Sequence, residues 1–285
     1  MSLPAEIDVV VVGAGPAGLA VAACLQQRGI AHALLEKADH IAPAWRTHYD
    51  RLHLHTNRAL SGLPHFPMPR NLPKYPSRQQ FIDYLEAYVT ATHLAPQLGV
   101  AVAQIERENG RYLSQTSAGT IHSRAVVMAT GYSHNPIIPR WPGDDTFPGT
   151  ILHSSAYRNG ASFAGQDVLV VGFGNSGGEI ALDLIEHGAR PKISVRGPVN
   201  IIPRDVLGLP ILAISIPLAQ LPPKLADWLA WPLLKLYYPS YQKLGLQKAP
   251  GGPFTQIAHQ QHIPLLDIGT VREIRQGRLA VAVRD

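Results

Sequence analysis

The sequence predicts a mixed α/β chain made of two three-layer units, and two observations predict it. A β-branched run, a glycine-rich turn and a helix-like stretch follow one another in Ile7–Arg28. The same order returns about 160 residues later, in Asp167–His187. Such alternation of strand and helix places a parallel sheet between helices. The turns are Gly13-Ala14-Gly15-Pro16-Ala17-Gly18 and Gly172-Phe173-Gly174-Asn175-Ser176-Gly177. Both read G-x-G-x-x-G between a strand and a helix, which is the fingerprint of Rossmann-like dinucleotide binding. The fold expected is therefore two Rossmann-like domains of the FAD/NAD(P)-binding type.

The first unit opens with a strand over Ile7–Val12, β-branched apart from Asp8, as a buried parallel strand should be. Gly13 permits the tight turn, Gly15 the approach of a pyrophosphate, and Gly18 the close packing of helix on strand. The helix expected over Pro16–Arg28 aims its N-terminal amides at that phosphate. Pro16 suits its first turn, and Gly29 stops it. The next strand, Ala33–Leu35, ends in Glu36, 18 residues beyond Gly18. An acid there accepts from ribose hydroxyls and repels a 2′-phosphate, which favours FAD or NAD over NADP. Lys37 follows it as a further cofactor-side candidate.

Residues 40–80, rich in His, Pro and Arg, are expected as an irregular wrap around the active site. A helix follows over Phe81–Thr90, then antiparallel strands at Val100–Ile105, Arg111–Thr116 and Thr120–His122. Val126–Met128 leads into a linker, and the Pro- and Gly-rich stretch Asn135–Gly149 marks the domain boundary. The domains expected are 1–145 and 146–275, with 276–285 beginning a return segment.

In the second unit the strand is Asp167–Val171, the helix Ser176–His187 and the next strand Ile193–Val195. The residue at the tip of that strand is now Arg196. A cation there can pair with a 2′-phosphate, so this site reads as NADPH-binding. Arg204 is the alternative cation, and a solvated strand end is the plain alternative for Arg196. Val206–Leu221 is strongly apolar but interrupted by Pro210 and Pro217, too broken for a membrane span. With Trp228, Trp231, Tyr237, Tyr238 and Tyr241 it suggests short helices over a substrate passage. Core packing is the equal alternative, and homo-oligomer or peripheral membrane contact through 205–245 a lesser one.

The hydrophobic content of 46% and charged content of 16% in 285 residues fit a folded protein with sizeable cores. The net charge of +5 comes from scattered residues, which argues against nucleic acid. Cys24 is the single cysteine, so no intramolecular dithiol is available. The start of the chain lacks the pattern of a secretory signal, and the location expected is cytoplasmic. His48, His53 and His55 lack the acid or cysteine company that a metal site needs, so no metal is expected.

Further motifs carry a family resemblance. Phe147-Pro148-Gly149-Thr150-Ile151-Leu152-His153-Ser154-Ser155-Ala156-Tyr157 matches F-x-G-x-x-x-H-x-x-x-[YF], and it precedes the second glycine turn. Ala129-Thr130-Gly131-Tyr132, Trp45-Arg46, the run Asp50–Asn57 and Tyr75–Phe81 add to it. The chain resembles class B flavin-containing monooxygenases, in particular their YUCCA-like branch, from Ile7 to about Arg278. Members usually run further, through a part that completes the flavin domain.

The resemblance implies FAD and NADPH as cofactors, and one oxygen atom of O2 transferred to a small organic substrate through a flavin C4a-(hydro)peroxide. The substrate is a soft nucleophile or a carbonyl compound, including an aromatic 2-oxo acid of the indole-pyruvate type. Asn57 is the catalytic candidate, since an amide donates without being a strong acid, with a turn-favouring Asn as the plain alternative. Trp45, Arg46, His53, Thr56, Thr130 and Gly131 join the glycine turns as cofactor-side candidates. Two other readings stay open: an NADPH oxidase or flavin reductase releasing H2O2, and a truncated, non-catalytic dinucleotide-binding protein.

Overall fold

A computed structural model describes residues 3–133, 135–260 and 263–283. Contacts divide the chain into two compact units. The first comprises Met1–His48 with Asn57–Tyr157, and the second Tyr49–Thr56 with Arg158–Asp285. The division falls after Tyr157 rather than at 145, and it assigns an eight-residue piece of the expected wrap to the second unit.

In the first unit, β1 (Glu6–Val12), α1 (Pro16–Gln27) and β2 (His32–Leu35) form a strand–helix–strand unit with β1 and β2 parallel. Val9 to Val12 are all at most 9% exposed, which fits a strand covered on both faces. A short helix α2 (Pro43–Thr47) leads toward α3 (Arg78–Ala91). Ser77 and Gln80 close a capping box that starts α3 three residues earlier than its apolar spacing indicates. The strands β3 (Val102–Glu108), β4 (Arg111–Thr116) and β5 (Gly119–Met128) complete a five-stranded sheet in the order β2-β1-β5-β4-β3.

β5 corrects one expectation. Thr120–His122 and Val126–Met128 are not separate pieces but one ten-residue strand. Its first half pairs antiparallel with β4 and its second half parallel with β1. Val10, Val12, Ala33, Leu35, Val100 and Ile121 make one buried cluster against this sheet. Each large apolar side chain buried there stabilises the fold by about 1.5–3 kcal/mol.

The wrap that stays with the first unit is held by α3. The Tyr84 hydroxyl donates to Phe66 O (2.5 Å) and accepts from Leu63 N (2.6 Å). The Tyr88 hydroxyl donates to Pro64 O at 2.9 Å, and burial pushes its pKa up to about 12.

In the second unit, β6 (Asp167–Val171), α4 (Asn175–Glu186) and β7 (Arg190–Val195) repeat the strand–helix–strand unit. The sheet order is β12-β7-β6, all parallel, with β12 at Ala280–Val283. Residues 280–283 thus extend the second unit's sheet, where a segment returning to the first domain was expected; 284–285 lie outside the described residues.

β8 (Ile201–Pro203) precedes the apolar insertion expected over 205–250, which forms a small hairpin of β9 (Asp205–Val206) with β10 (Leu209–Pro210), then α5 (Ile211–Leu218) and α6 (Pro223–Tyr237). After it come α7 (Pro253–Gln260), β11 (Leu265–Asp267), which pairs parallel with β8, and α8 (Thr270–Arg275). At 15 residues α6 is longer than the short helices expected. The insertion's aromatics divide by role. Tyr238 is buried and donates to Asp267, while Tyr241 accepts from Ile201 N. Trp228 and Trp231 are 70% and 49% exposed. They border a groove of about 1030 Å³ that also meets Lys235 and Lys248. Among the described residues no helix is long and apolar enough to cross a membrane.

Candidate functional site

The two glycine turns have nearly the same geometry. Gly13 has φ +106° and Gly172 φ +113°, conformations that side chains rarely adopt. A Cβ on Gly18 would stand 1.8 Å from Gly13 O, and one on Gly177 2.1 Å from Gly172 O. Those two glycines exist so that helix can lie on turn. Gly15 and Gly174 differ: a Cβ on either meets nothing within 4 Å. Their lack of a side chain leaves open space over the start of each helix. Both residues are N-caps without a side-chain hydrogen bond. The N-cap residues thus supply no side-chain cap to the first amides of α1 and α4, which suits an anion-binding helix start.

The first turn is braced from below. Glu36, buried at 5% exposure, accepts from Ala14 N (2.9 Å) through Oε2 and from Ala38 N (3.0 Å) through Oε1. Each oxygen retains a lone pair for a hydroxyl donor. Pro16 and Ala17 occupy the first turn of α1, and Lys37 is exposed. These residues fit a dinucleotide with unphosphorylated ribose. At the second turn, Asn175 accepts from Leu266 N at 2.7 Å through Oδ1, which ties α4 to β11, and Ser176 is exposed. Arg196 is exposed directly after β7, with no carboxylate at the strand tip. That donor set fits a dinucleotide carrying an additional phosphate.

Several candidates are engaged within the protein. Arg46 donates through Nε to Ile41 O (3.1 Å) and through Nη2 to Glu86 Oε1 (2.5 Å). Trp45 packs edge-on against Phe81, with centroids 4.4 Å apart. Arg78 donates to Arg46 O (2.9 Å) and His48 O (2.8 Å), which fixes the end of α2. The Asn57 side chain accepts from Leu60 N at 3.0 Å and caps a single 3-10 turn, so its oxygen serves the fold while its NH2 end takes no part in that cap. His53 is exposed, with Nδ1 2.6 Å from Arg51 O. Thr130 and Gly131 are exposed beyond β5, and Gly131 has φ +69°. In the signature, His153 Nδ1 lies 2.8 Å from Ser155 Oγ, and Tyr157 is buried.

One group in the second unit has no counterpart among the expected residues. Glu179 on α4 is 1% exposed. It accepts from the Tyr49 hydroxyl at 2.6 Å through Oε2. Its Oε1 has no hydrogen-bond partner, with Arg51 Nη1 at 3.9 Å and His55 Nε2 at 4.0 Å. Burial, against the pull of Tyr49, Arg51, Arg204 and the His53 backbone N–H, raises its pKa from 4.5 to about 7. Burial and Arg204 depress that of His55. Two turns further along α4, Glu186 takes a two-pronged bond from Arg51, at 2.9 and 2.8 Å, which holds its carboxyl below the usual range. The signal that could have found this group is the acid repeat Glu179, Asp183, Glu186 on an otherwise apolar helix.

Comparison with known proteins places the chain in a family. Residues 10–205 match a family described as pyridine nucleotide-disulphide oxidoreductase. With Cys24 as its single cysteine, the chain lacks an internal dithiol for disulfide chemistry. The chain is 40% identical over 277 residues to an indole-3-pyruvate monooxygenase, YUCCA1, of Oryza sativa subsp. japonica, a match covering 95% of this chain and 68% of that protein. A variant flavin monooxygenase from Stenotrophomonas maltophilia matches at a TM-score of 0.66 and 29% identity, over 72% of this chain and 61% of that one. An oxidized steroid monooxygenase bound to NADP matches at 0.60 and 26%, over 70% of this chain and 40% of that one. The chain thus spans roughly two-thirds or less of the length of these relatives.

Proposed function

The chain belongs to the flavin-containing monooxygenases of the YUCCA-like branch, and we propose that it uses FAD and NADPH to place one oxygen atom of O2 on a small organic substrate. The observation that carries the reading is the pair of open glycine turns with opposite charge beside them: buried Glu36 at the first and Arg196 at the second. When bound, FAD supplies oxygen activation and NADPH supplies electrons.

In this reading the two units are Rossmann-like dinucleotide-binding domains. The amides of Gly15 and Ala17 at the start of α1 hold the FAD pyrophosphate, Pro16, which has no N–H, shapes that first turn, and Glu36 accepts from the FAD ribose. Gly174, Asn175 and Ser176 hold the NADPH pyrophosphate, and Arg196 pairs with the 2′-phosphate. Asn57 offers its amide N–H on the flavin side, where a donor stabilises developing negative charge without releasing a proton. Thr56, His53, Trp45, Arg46, Lys37, Thr130 and Gly131 complete the flavin surroundings. The likeness to the rice indole-3-pyruvate monooxygenase supports an aromatic 2-oxo acid as the substrate class.

The test is the visible spectrum of purified protein after addition of FAD, then NADPH in air, with product analysis on an aromatic 2-oxo acid. Flavin uptake, bleaching by NADPH, recovery in air and an oxygenated product are expected. NADPH consumed only as H2O2 would reduce the reading to an oxidase. A folded chain that takes up no flavin would overturn it.

A further inference from the structure

We propose that Glu179 is a positioning residue: it fastens the segment Tyr49–Thr56 to α4, so that the segment leading into Asn57 is held by the helix that begins at the second glycine turn. The inference rests on the function proposed above, which places NADPH at the start of α4 and the flavin beside Thr56 and Asn57.

The segment, which turns at Asp50-Arg51 where Leu52 N donates to Tyr49 O at 3.2 Å, is assigned by contacts to the second unit although its flanks on both sides belong to the first. It is fastened at several points. Asp50 N donates to Arg158 O at 2.8 Å, and Asn159 Nδ2 donates to Asp50 Oδ2 at 2.8 Å. The other fastenings are to α4. Tyr49 reaches Glu179, and Arg51 reaches Glu186 seven residues on, which is the same helix face two turns away. The Ser176 hydroxyl, in the first turn of α4, also bonds to the Tyr49 oxygen. Tyr49 therefore touches both the glycine-turn end of the helix and the buried acid.

A carboxyl at 1% exposure is a poor device for stability, because an apolar side chain of similar volume fills such a place without a desolvation cost. What a carboxyl adds is direction. Its Oε2 specifies where the Tyr49 hydroxyl sits, and Arg51 and His55, both from the segment, stand just outside hydrogen-bond range of Oε1. Three side chains of one eight-residue segment thus converge on one buried acid. Such convergence sets the register of the segment along α4, up to Thr56, from which the chain continues into Asn57.

The experiment compares the unaltered protein with Tyr49→Phe, Glu179→Ala and Glu179→Gln by two readouts. The first is hydrogen exchange of amides 50–56 without added cofactor. The second is the rate of flavin absorbance loss on anaerobic mixing of the FAD-loaded protein with NADPH. Tyr49→Phe and Glu179→Ala are expected to speed exchange in the segment and to slow flavin reduction about tenfold, with NADPH affinity changed by less than about threefold. Glu179→Gln, whose amide oxygen still accepts from Tyr49, is expected to stay near the unaltered protein in both.

Unchanged exchange in Tyr49→Phe would overturn the proposal. So would faster exchange with an unchanged reduction rate, or a loss confined to NADPH affinity. If Glu179→Ala fails to fold, Tyr49→Phe, which removes one hydroxyl, decides. If NADPH does not reduce the unaltered protein, the functional reading fails, and the exchange comparison alone decides whether Glu179 fastens the segment.

Discussion

Gly15 and Gly18 lie three residues apart, yet an alanine tests opposite things at each. At Gly18 the new Cβ meets a backbone carbonyl at 1.8 Å, so turn and helix must separate. At Gly15 it meets nothing of the protein. Gly18→Ala is expected to destabilise the first unit by more than about 2 kcal/mol, as overpacking of a well-fitted contact does. Gly15→Ala is expected to leave the cofactor-free protein within about 1 kcal/mol of its parent, and to cut FAD uptake. Urea unfolding and flavin titration check both. These glycines and Glu36 were legible because their spacing is local.

Glu179 was not legible, because what buries it arrives from Tyr49, 130 residues earlier in the chain. Its charge neighbours are Tyr49, Arg51, His55, Arg204 and, on its own helix, Asp183 and Glu186. Its pKa is about 7 when folded and 4.5 when free, so the folded state binds the additional proton between those values. The sign follows: its contribution is complete below 4.5 and is lost as pH rises through about 7. The full span is worth about 3 kcal/mol. Glu179→Gln removes that titration. The variant is expected to match the unaltered protein in urea at about pH 5 and to exceed it by up to about 3 kcal/mol at about pH 8. Equal stability of the two at the higher pH would show that the buried carboxyl carries no such penalty.

At the scale of elements, strands and helices with their own period were readable, and elements defined by partners were not. β5 was read as two pieces because polar Ser123-Arg124 breaks its apolar run. Ladder partners on both sides hold it together regardless, and Ser123 is fully buried. α7 went unread because its N-terminus is supplied from elsewhere in the chain. Asp227 of α6 accepts from Gly252 N (3.2 Å), Phe254 N (2.9 Å) and Thr255 N (3.0 Å). It is an N-cap from another helix, and it also joins α6 to α7. Asp227→Ala is expected to destabilise the protein by about 1–2 kcal/mol, since three amides lose their acceptor. A Cβ on Gly252 would come within 2.3 Å of Asp227 Oδ1. Gly252→Ala should therefore be costly in the unaltered protein and less so beside Asp227→Ala, which removes the carboxyl atoms at 2.3 and 2.4 Å and leaves the Cβ at 2.9 Å. A double-mutant cycle in urea measures that coupling, and additive effects would refute the shared cap.

At the scale of the whole chain, the repeat of strand, glycine turn and helix announced two similar units, and each has its own sheet. The passage of Tyr49–Thr56 into the second unit could not be announced, since residues 40–80 carry no period from which a partner can be inferred. The two separate dinucleotide sites proposed above make a linkage prediction that a single shared site does not. A ligand that binds only the folded state stabilises by RT ln(1 + [L]/Kd), about 2.7 kcal/mol at one hundred times Kd. FAD and NADPH are each expected to raise the unfolding midpoint, and Gly15→Ala to remove the FAD increment while leaving that of NADPH. Gly174→Ala, whose Cβ likewise meets nothing of the protein, is expected to do the reverse. Arg196→Gln should lower the NADPH increment and leave that of NADH, because one charge-assisted bond to the 2′-phosphate, worth about 1.5–3 kcal/mol, is the difference between them. Calorimetry with each dinucleotide separately reads all three variants. If Gly15→Ala abolished both increments together, the two turns would not be independent sites, and the assignment of FAD to one and NADPH to the other would fall.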